Sequence, residues 1–320
     1  MNTYNGSYLS YLIYKINQRL ETAQPTLLFG ENINRGSCIS GLARGLVAGG
    51  RHRVLNVGNA ELTHIGMGMG IMLDRGNAIL FVKQSDFLLL GLEQVVNTLN
   101  LIRASHSLKR LGSFTIYSII CDQGYQGPQS SLNSPSDFAS LGNVSTFCLN
   151  SMADSEWVIN NQFINPGFRF VFVSQRAFTD SAYSPTQLDC RPDGSIFKFG
   201  AGDFGTVVCI GFTLRFGVEI SSRMSSASAP IDLYQVNYTP SIELAPIIES
   251  CARTGKLVIF DDSKTVAKLG DSMGCAAVEA GLSVRILHIT RRSLADHEYS
   301  VNPDQYLPDL DRVAEFMLSG

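Results

Sequence analysis

The chain has 320 residues, enough for two ordinary domains with full cores. Hydrophobic residues make up 45% and charged residues 17%, the composition of a folded globular protein and not of a disordered one. A formal net charge of −3 spreads no broad positive field, which argues against nucleic acid as a ligand. No apolar run reaches the roughly 18–20 residues that would cross a bilayer, so no membrane span is expected.

Leu9, Leu12, Ile13, Ile16 and Leu20 recur at helical spacing and predict an amphipathic helix over 8–22. The same opening stretch lacks a basic lead before an apolar core and does not read as a signal peptide. A short apolar strand follows at Thr26–Phe29, closed by Gly30, and another at 53–57. A helical run, Ala60–Leu73, leads to a buried strand at Ala78–Val82 and then to one long helix from Asp86, a good cap, to about Ala104. Strands are expected at Phe114–Cys121, Val144–Leu149 and Phe168–Val173, with helices near Pro135–Leu141 and Asp154–Phe163. Strands that are apolar throughout and alternate with helices imply a parallel sheet covered on both faces. From Phe178 to about Ser195 the rhythm stops, and this stretch reads as a linker. It then restarts, with strands at Thr206–Gly211, Ile231–Val236, Lys256–Phe260 and Val284–Ile289. Helices at 213–225, 240–253, 265–281 and Leu310–Leu318 accompany them. The expectation is two doubly wound α/β domains, residues 1–190 and 191–320.

The seven cysteines stand singly, with no CxxC pair and no zinc spacing, which points to free thiols in a reducing cytoplasm. His52, His106, His288 and His297 are isolated, and they build no metal cluster. No P-loop, GxSxG or HExxH motif occurs. Gly66, Gly68 and Gly70 lie inside an apolar helical run, so close helix packing explains them better than a phosphate cradle does. Periodicity alone makes Glu61 a first-turn carboxylate favoured by the helix dipole. His64, one turn on, could pair with it locally.

The wider segment changes the weight on Glu61. It runs Arg53-Val54-Leu55-Asn56-Val57-Gly58-Asn59-Ala60-Glu61, then Gly66 and Gly70, Ala78–Val82, Asp86-Phe87 and Glu93-Gln94-Val95-Val96-Asn97. In order and spacing it resembles the pyrimidine-binding domain of 2-oxoacid dehydrogenase E1 beta subunits, whose architecture transketolases share. Leu28-Phe29-Gly30-Glu31, Thr254-Gly255-Lys256-Leu257 through Asp261-Asp262, and Tyr306-Leu307-Pro308 extend the resemblance along nearly the whole chain. It implies a thiamine diphosphate pyrimidine-binding domain followed by a transketolase C-terminal-like domain. It also implies that Glu61 shares a proton with N1′ of the cofactor's aminopyrimidine, with Phe87 packing on that ring and Val82 as an apolar wall. Without the resemblance, Phe87 would be ordinary core packing.

Two departures from the family pattern matter. The family's GDG segment for diphosphate and Mg²⁺ has no counterpart. Gly202-Asp203-Phe204-Gly205 lacks the third member and opens a strand, and Gly270-Asp271-Ser272 sits within a helix. The resemblance therefore implies that Mg²⁺ and the diphosphate belong to an alpha-type partner chain, in an α2β2 heterotetramer. Secondly, relatives carry a His in the loop that corresponds to the one after the Phe114–Cys121 strand. Here that loop reads Gly124 to Ser131, with Gly127-Pro128 aligned and Ser130, or its neighbours Gln129 and Ser131, in the histidine's place. A serine does not titrate near neutral pH. A ketol or acyl transfer between small carbonyl substrates is therefore expected ahead of an E1 reaction feeding a lipoyl carrier. A non-catalytic scaffold subunit is the third reading, and retention of Glu61 and Phe87 argues against it.

Overall fold

The computed structural model describes residues 4, 6–107, 110–125, 131–291, 302–303 and 306–319. The first helix, α1 (Tyr8–Thr22), is capped by Ser7, whose hydroxyl accepts from the Ser10 amide, and buries the predicted stripe of Leu12, Ile13, Ile16 and Leu20. The chain then enters β1 (Thr26–Glu31), β2 (Arg53–Val57), α2 (Glu61–Leu73) and β3 (Asn77–Val82). After three helical pieces come β4 (Ser113–Ile120), the two-residue β5 (Gly124–Tyr125), β6 (Thr146–Leu149) and β7 (Gly167–Ser174). The first sheet has the order β2-β1-β3-β4-β7-β6, and every pairing in it is parallel. Its β4 and β7 are buried at every position, Ser113, Thr115, Ser118 and Arg169 among their apolar residues included.

The second sheet contains β8 (Asp189–Cys190), β9 (Ile196–Gly200), β10 (Thr206–Ile210), β11 (Asp232–Val236), β12 (Lys256–Asp261) and β13 (Arg285–Thr290), in the order β13-β12-β10-β11-β9-β8. Four of these strands are parallel, and β9 and β8 close one side antiparallel. The fold is thus two parallel-dominated α/β sheets with helices packed on them, as the alternating pattern predicts. A small ribbon pairs β5 with β14 (Asn302–Pro303). No helix among the described residues is long and apolar enough to cross a membrane.

Two expectations are corrected. The stretch 178–195 is not wholly irregular, since it contains β8, and β9 begins directly after it. Such a short antiparallel pair lacks the apolar run that announces the parallel strands. The single helix expected from Asp86 to Ala104 is instead three pieces: a 3-10 helix Ser85–Gly91, a π turn Gln94–Thr98 and α3 (Leu99–Ser105). Gly91 sits against α2, where a β-carbon would meet Ile65 Cδ1 at 2.4 Å. Asp86 is also drawn away from capping, because its Oδ1 accepts the amides of Ser131 and Leu132 at 3.2 and 3.1 Å. A π turn inside a helix is the usual sign that packing and local geometry disagree.

The two sheets meet through polar contacts. Thr146 and Tyr238 exchange backbone hydrogen bonds, the Cys148 amide donates to Asn237 Oδ1, and Asn150 Nδ2 donates to the Gly211 carbonyl. These bonds cover the free side of β6, which would otherwise be an open sheet edge.

Candidate functional site

In the first sheet β1 lies between β2 and β3, so the chain leaves β1 toward one side and returns on the other. That reversal opens a crevice at the carboxyl ends of the strands, where open α/β sheets bind ligands. The structure has a pocket of ≈180 Å³ at this place. Its wall is built from the ends of three strands: Glu31 and Asn32 at and after the end of β1, Gly58 and Asn59 after β2, and Val82, Lys83 and Phe87 at and after β3.

Glu61 lines this pocket from the first turn of α2, where a carboxylate is also favoured by the helix dipole. Glu61, Val82 and Phe87, chosen from distant stretches of sequence, thus converge on one cavity. Val82 is buried at 7% exposure, while Glu61 and Phe87 are half-buried. His64 lines the same wall one turn below Glu61. Burial pulls its imidazole below the ordinary histidine range, and the Glu61 carboxylate pushes it partly back. The two are electrostatic neighbours, as the helical spacing predicts, and His64 also stands edge-on to Phe29.

Sequence reasoning missed the loop that closes the pocket from above. Ser37, Ile39 and Ser40 line it, and Cys38, Ile39 and Ser40 all carry left-handed backbone, with φ of 48°, 52° and 53°. For β-branched Ile39 this is a true outlier. Its side chain reaches over Gly30, where a β-carbon would lie 2.8 Å from Ile39 Cδ1 and 2.5 Å from the Phe81 carbonyl. The signal available was the resemblance at Leu28-Phe29-Gly30-Glu31, which ends at the pocket rim.

Of the substrate-side residues, Gln129 and Ser130 lie outside the described residues, as do Gly127 and Pro128. Ser131 does not line the pocket. Its amide binds Asp86, one residue before Phe87, and its carbonyl accepts from Lys264 Nζ. The glycine run is explained by packing at one position only. A β-carbon on Gly68 would sit 2.2 Å from the Phe114 ring, whereas nothing lies within 4 Å of one on Gly70. The close approach is to an aromatic ring of β4 and not to another helix backbone.

Gly202 packs against the Pro230 backbone, and Gly205 against Met317, both before the amino end of β10. Asp271 pairs with His288 Nδ1 at 3.0 Å. His297 lies outside the described residues. Among the described residues no group of three or more His, Cys, Asp or Glu is placed to hold a metal ion. The second sheet has its own reversal, with β10 between β11 and β12, but its crevice is filled. Asp262, fully buried, accepts the Phe212 amide there, and a β-carbon on Gly211 would meet its Oδ1 at 2.1 Å.

No protein-family model matches the chain, and no curated protein matches it in sequence. A solved structure described as a split-gene transketolase, an inactive beta4 tetramer, superposes with a TM-score of 0.69 at 13% sequence identity. The match covers 97% of this chain and 96% of that one. At that identity the likeness is one of fold, and over nearly its whole length this chain has a transketolase-like fold.

Proposed function

We propose that the chain is the beta-type, pyrimidine-binding subunit of a two-chain thiamine diphosphate enzyme that makes or breaks a C–C bond beside a carbonyl. The carrying observation is the convergence of Glu61, Val82 and Phe87 on one pocket at the sheet's reversal point. Two domains divide the labour, a pyrimidine-binding domain to about residue 190 and a transketolase C-terminal-like domain after it.

The residues fit the pyrimidine end of the cofactor. Val82 and Phe87 offer apolar and aromatic surface to a flat ring, and Glu61 offers a carboxyl group for a ring nitrogen. They do not suit the diphosphate end, since two carboxylates, Glu31 and Glu61, face the cavity with Lys83 as the one lysine or arginine of its lining. At ≈180 Å³ the cavity is also smaller than the roughly 300–1,000 Å³ of complete small-molecule sites, which suits a half-site. An alpha-type partner would supply the diphosphate and Mg²⁺ contacts, in an α2β2 assembly. The solved relative's description as an inactive tetramer of beta chains accords with a chain that needs such a partner.

Thiamine diphosphate, when bound, acts as an electron sink beside a carbonyl carbon, and the protein supplies orientation and electrostatics. In this chain Glu61 would hold and return a proton at N1′ of the aminopyrimidine. Val82 and Phe87 would fix the ring's plane. His64, kept toward its neutral form by burial, leaves the Glu61 carboxylate without a full counter-charge.

Calorimetric titration with thiamine diphosphate and Mg²⁺ tests the assignment. The single chain should bind weakly or not at all, and the two-chain complex tightly. Tight stoichiometric binding by the single chain would mean that it holds the diphosphate itself. A single-turnover comparison of acceptors then separates the reactions. Transfer to small aldehydes or ketones supports the ketol or acyl transferase reading. Rapid transfer to a free lipoyl domain, with none to carbonyl acceptors, would make the chain an E1 beta component.

A further inference from the structure

Lys264 follows β12 in the second sheet, yet its side chain works in the first. Its Nζ donates to the Gly124 carbonyl at 2.9 Å and to the Ser131 carbonyl, so one ammonium joins both ends of the Gly124–Ser131 connection. Its own amide donates to the Asn133 carbonyl at 2.6 Å, and Asn133 Nδ2 returns a bond to the Asp262 carbonyl at 2.9 Å. On the other side of Ser131, the Ser131 and Leu132 amides converge on Asp86 Oδ1. A continuous polar path therefore runs from Lys264 through Ser131 to Asp86, the residue preceding the pocket wall Phe87.

We propose that Lys264 is a positioning residue, which fixes the ends of the Gly124–Ser131 connection, and through Asp86 the Phe87 wall, to the second domain. Burial pulls the Lys264 ammonium down to about 8, and Arg291 adds to the effect. Cys121, Asp86 and Asp122 oppose it from the first domain. Charge-assisted hydrogen bonds are roughly twice as strong as neutral ones, so the clamp weakens as the amine loses its proton. The hold is firm below pH 8 and relaxes above it. Its consequence for catalysis rests on the proposed function, but the clamp itself can be tested without that reading.

The test is amide hydrogen exchange at Ser131 and Leu132 in the full chain between pH 6.5 and 9.5, referenced to β4 amides to remove intrinsic base catalysis. Wild type should lose relative protection through about pH 8. Lys264→Met should show protection reduced about ten- to a hundredfold at pH 7, with no inflection. Lys264→Arg, charged throughout, should stay protected across the range. An inflection that survives in Lys264→Met, or full protection of that variant at pH 7, would overturn the proposal. If Lys264→Met fails to fold, a wild-type profile that is flat through pH 8 overturns it alone. None of these readouts requires the cofactor, so a failure here is distinct from a failure of the pyrimidine site.

Discussion

At the scale of single residues, what decides a position is the atom a side chain would meet. Gly68 and Gly70 are two residues apart on the same helix, and the sequence offers nothing to separate them. The Phe114 ring fills the space beside Gly68 and none is filled beside Gly70. Gly68→Ala should therefore cost about 1–3 kcal/mol by overpacking. Gly70→Ala should stabilise α2 by up to about 1 kcal/mol through helix propensity. Urea unfolding of the two variants checks both signs, and equal shifts would contradict this account. Glu61 and Phe87 were legible because a long collinear pattern surrounds them. Ile39 and Lys264 were not. The left-handed turn at 38–40 is made by residues with no preference for it, and the reach of Lys264 spans 133 residues of sequence.

Elements were legible wherever burial imposes a simple period. Helix α1 begins and ends where its apolar stripe predicts, and the parallel strands fall within two residues of their expected bounds. The failures share a cause, which is tertiary contact overriding a local pattern. The run from Ser85 to Ser105 has a helical sequence throughout, but contact with α2 at Gly91 and the recruitment of Asp86 break it into three. The ends of β4 and β7 are joined by a second device that sequence did not reveal. Asp122, fully buried, accepts from Arg176 Nη1 at 3.0 Å, from Ser174 Oγ at 2.7 Å and from the Gln175 amide at 3.1 Å. Removing the carboxylate of such a pair leaves the buried guanidinium without its counter-charge. Asp122→Ala should destabilise the chain by about 3–5 kcal/mol, measured by chemical denaturation. A loss under 1 kcal/mol would show that solvent reaches Arg176.

At the scale of the whole molecule, two buried carboxylates, Asp154 beside Asn150 and Ser151 and Asp262 at the seam between the sheets, leave a pH signature. Burial raises both Asp154 and Asp262 to about 6, although hydrogen bonds lower the first and Arg291 lowers the second. Between about pH 4 and 6 the folded chain holds protons at these sites that the unfolded chain has released, so their contribution to stability falls as pH rises through that window. Denaturation at steps across it should give a shallower slope for Asp262→Asn than for wild type, and an unchanged slope would contradict the assignment. The two-sheet plan was legible because it follows from alternating apolar strands and helices. The seam was not, since its partners lie in different domains. The same plan places the Glu61 pocket at the first sheet's open reversal point while Asp262 fills the second's. The central claim is that this pocket receives the aminopyrimidine and that Glu61 manages its N1′ proton. The most direct measurement is C2 proton exchange on thiamine diphosphate bound to the assembled two-chain complex, wild type against Glu61→Ala. The account predicts that exchange is abolished in the variant while its fold, checked by circular dichroism, is retained. Exchange at the wild-type rate would reassign Glu61 to a structural role.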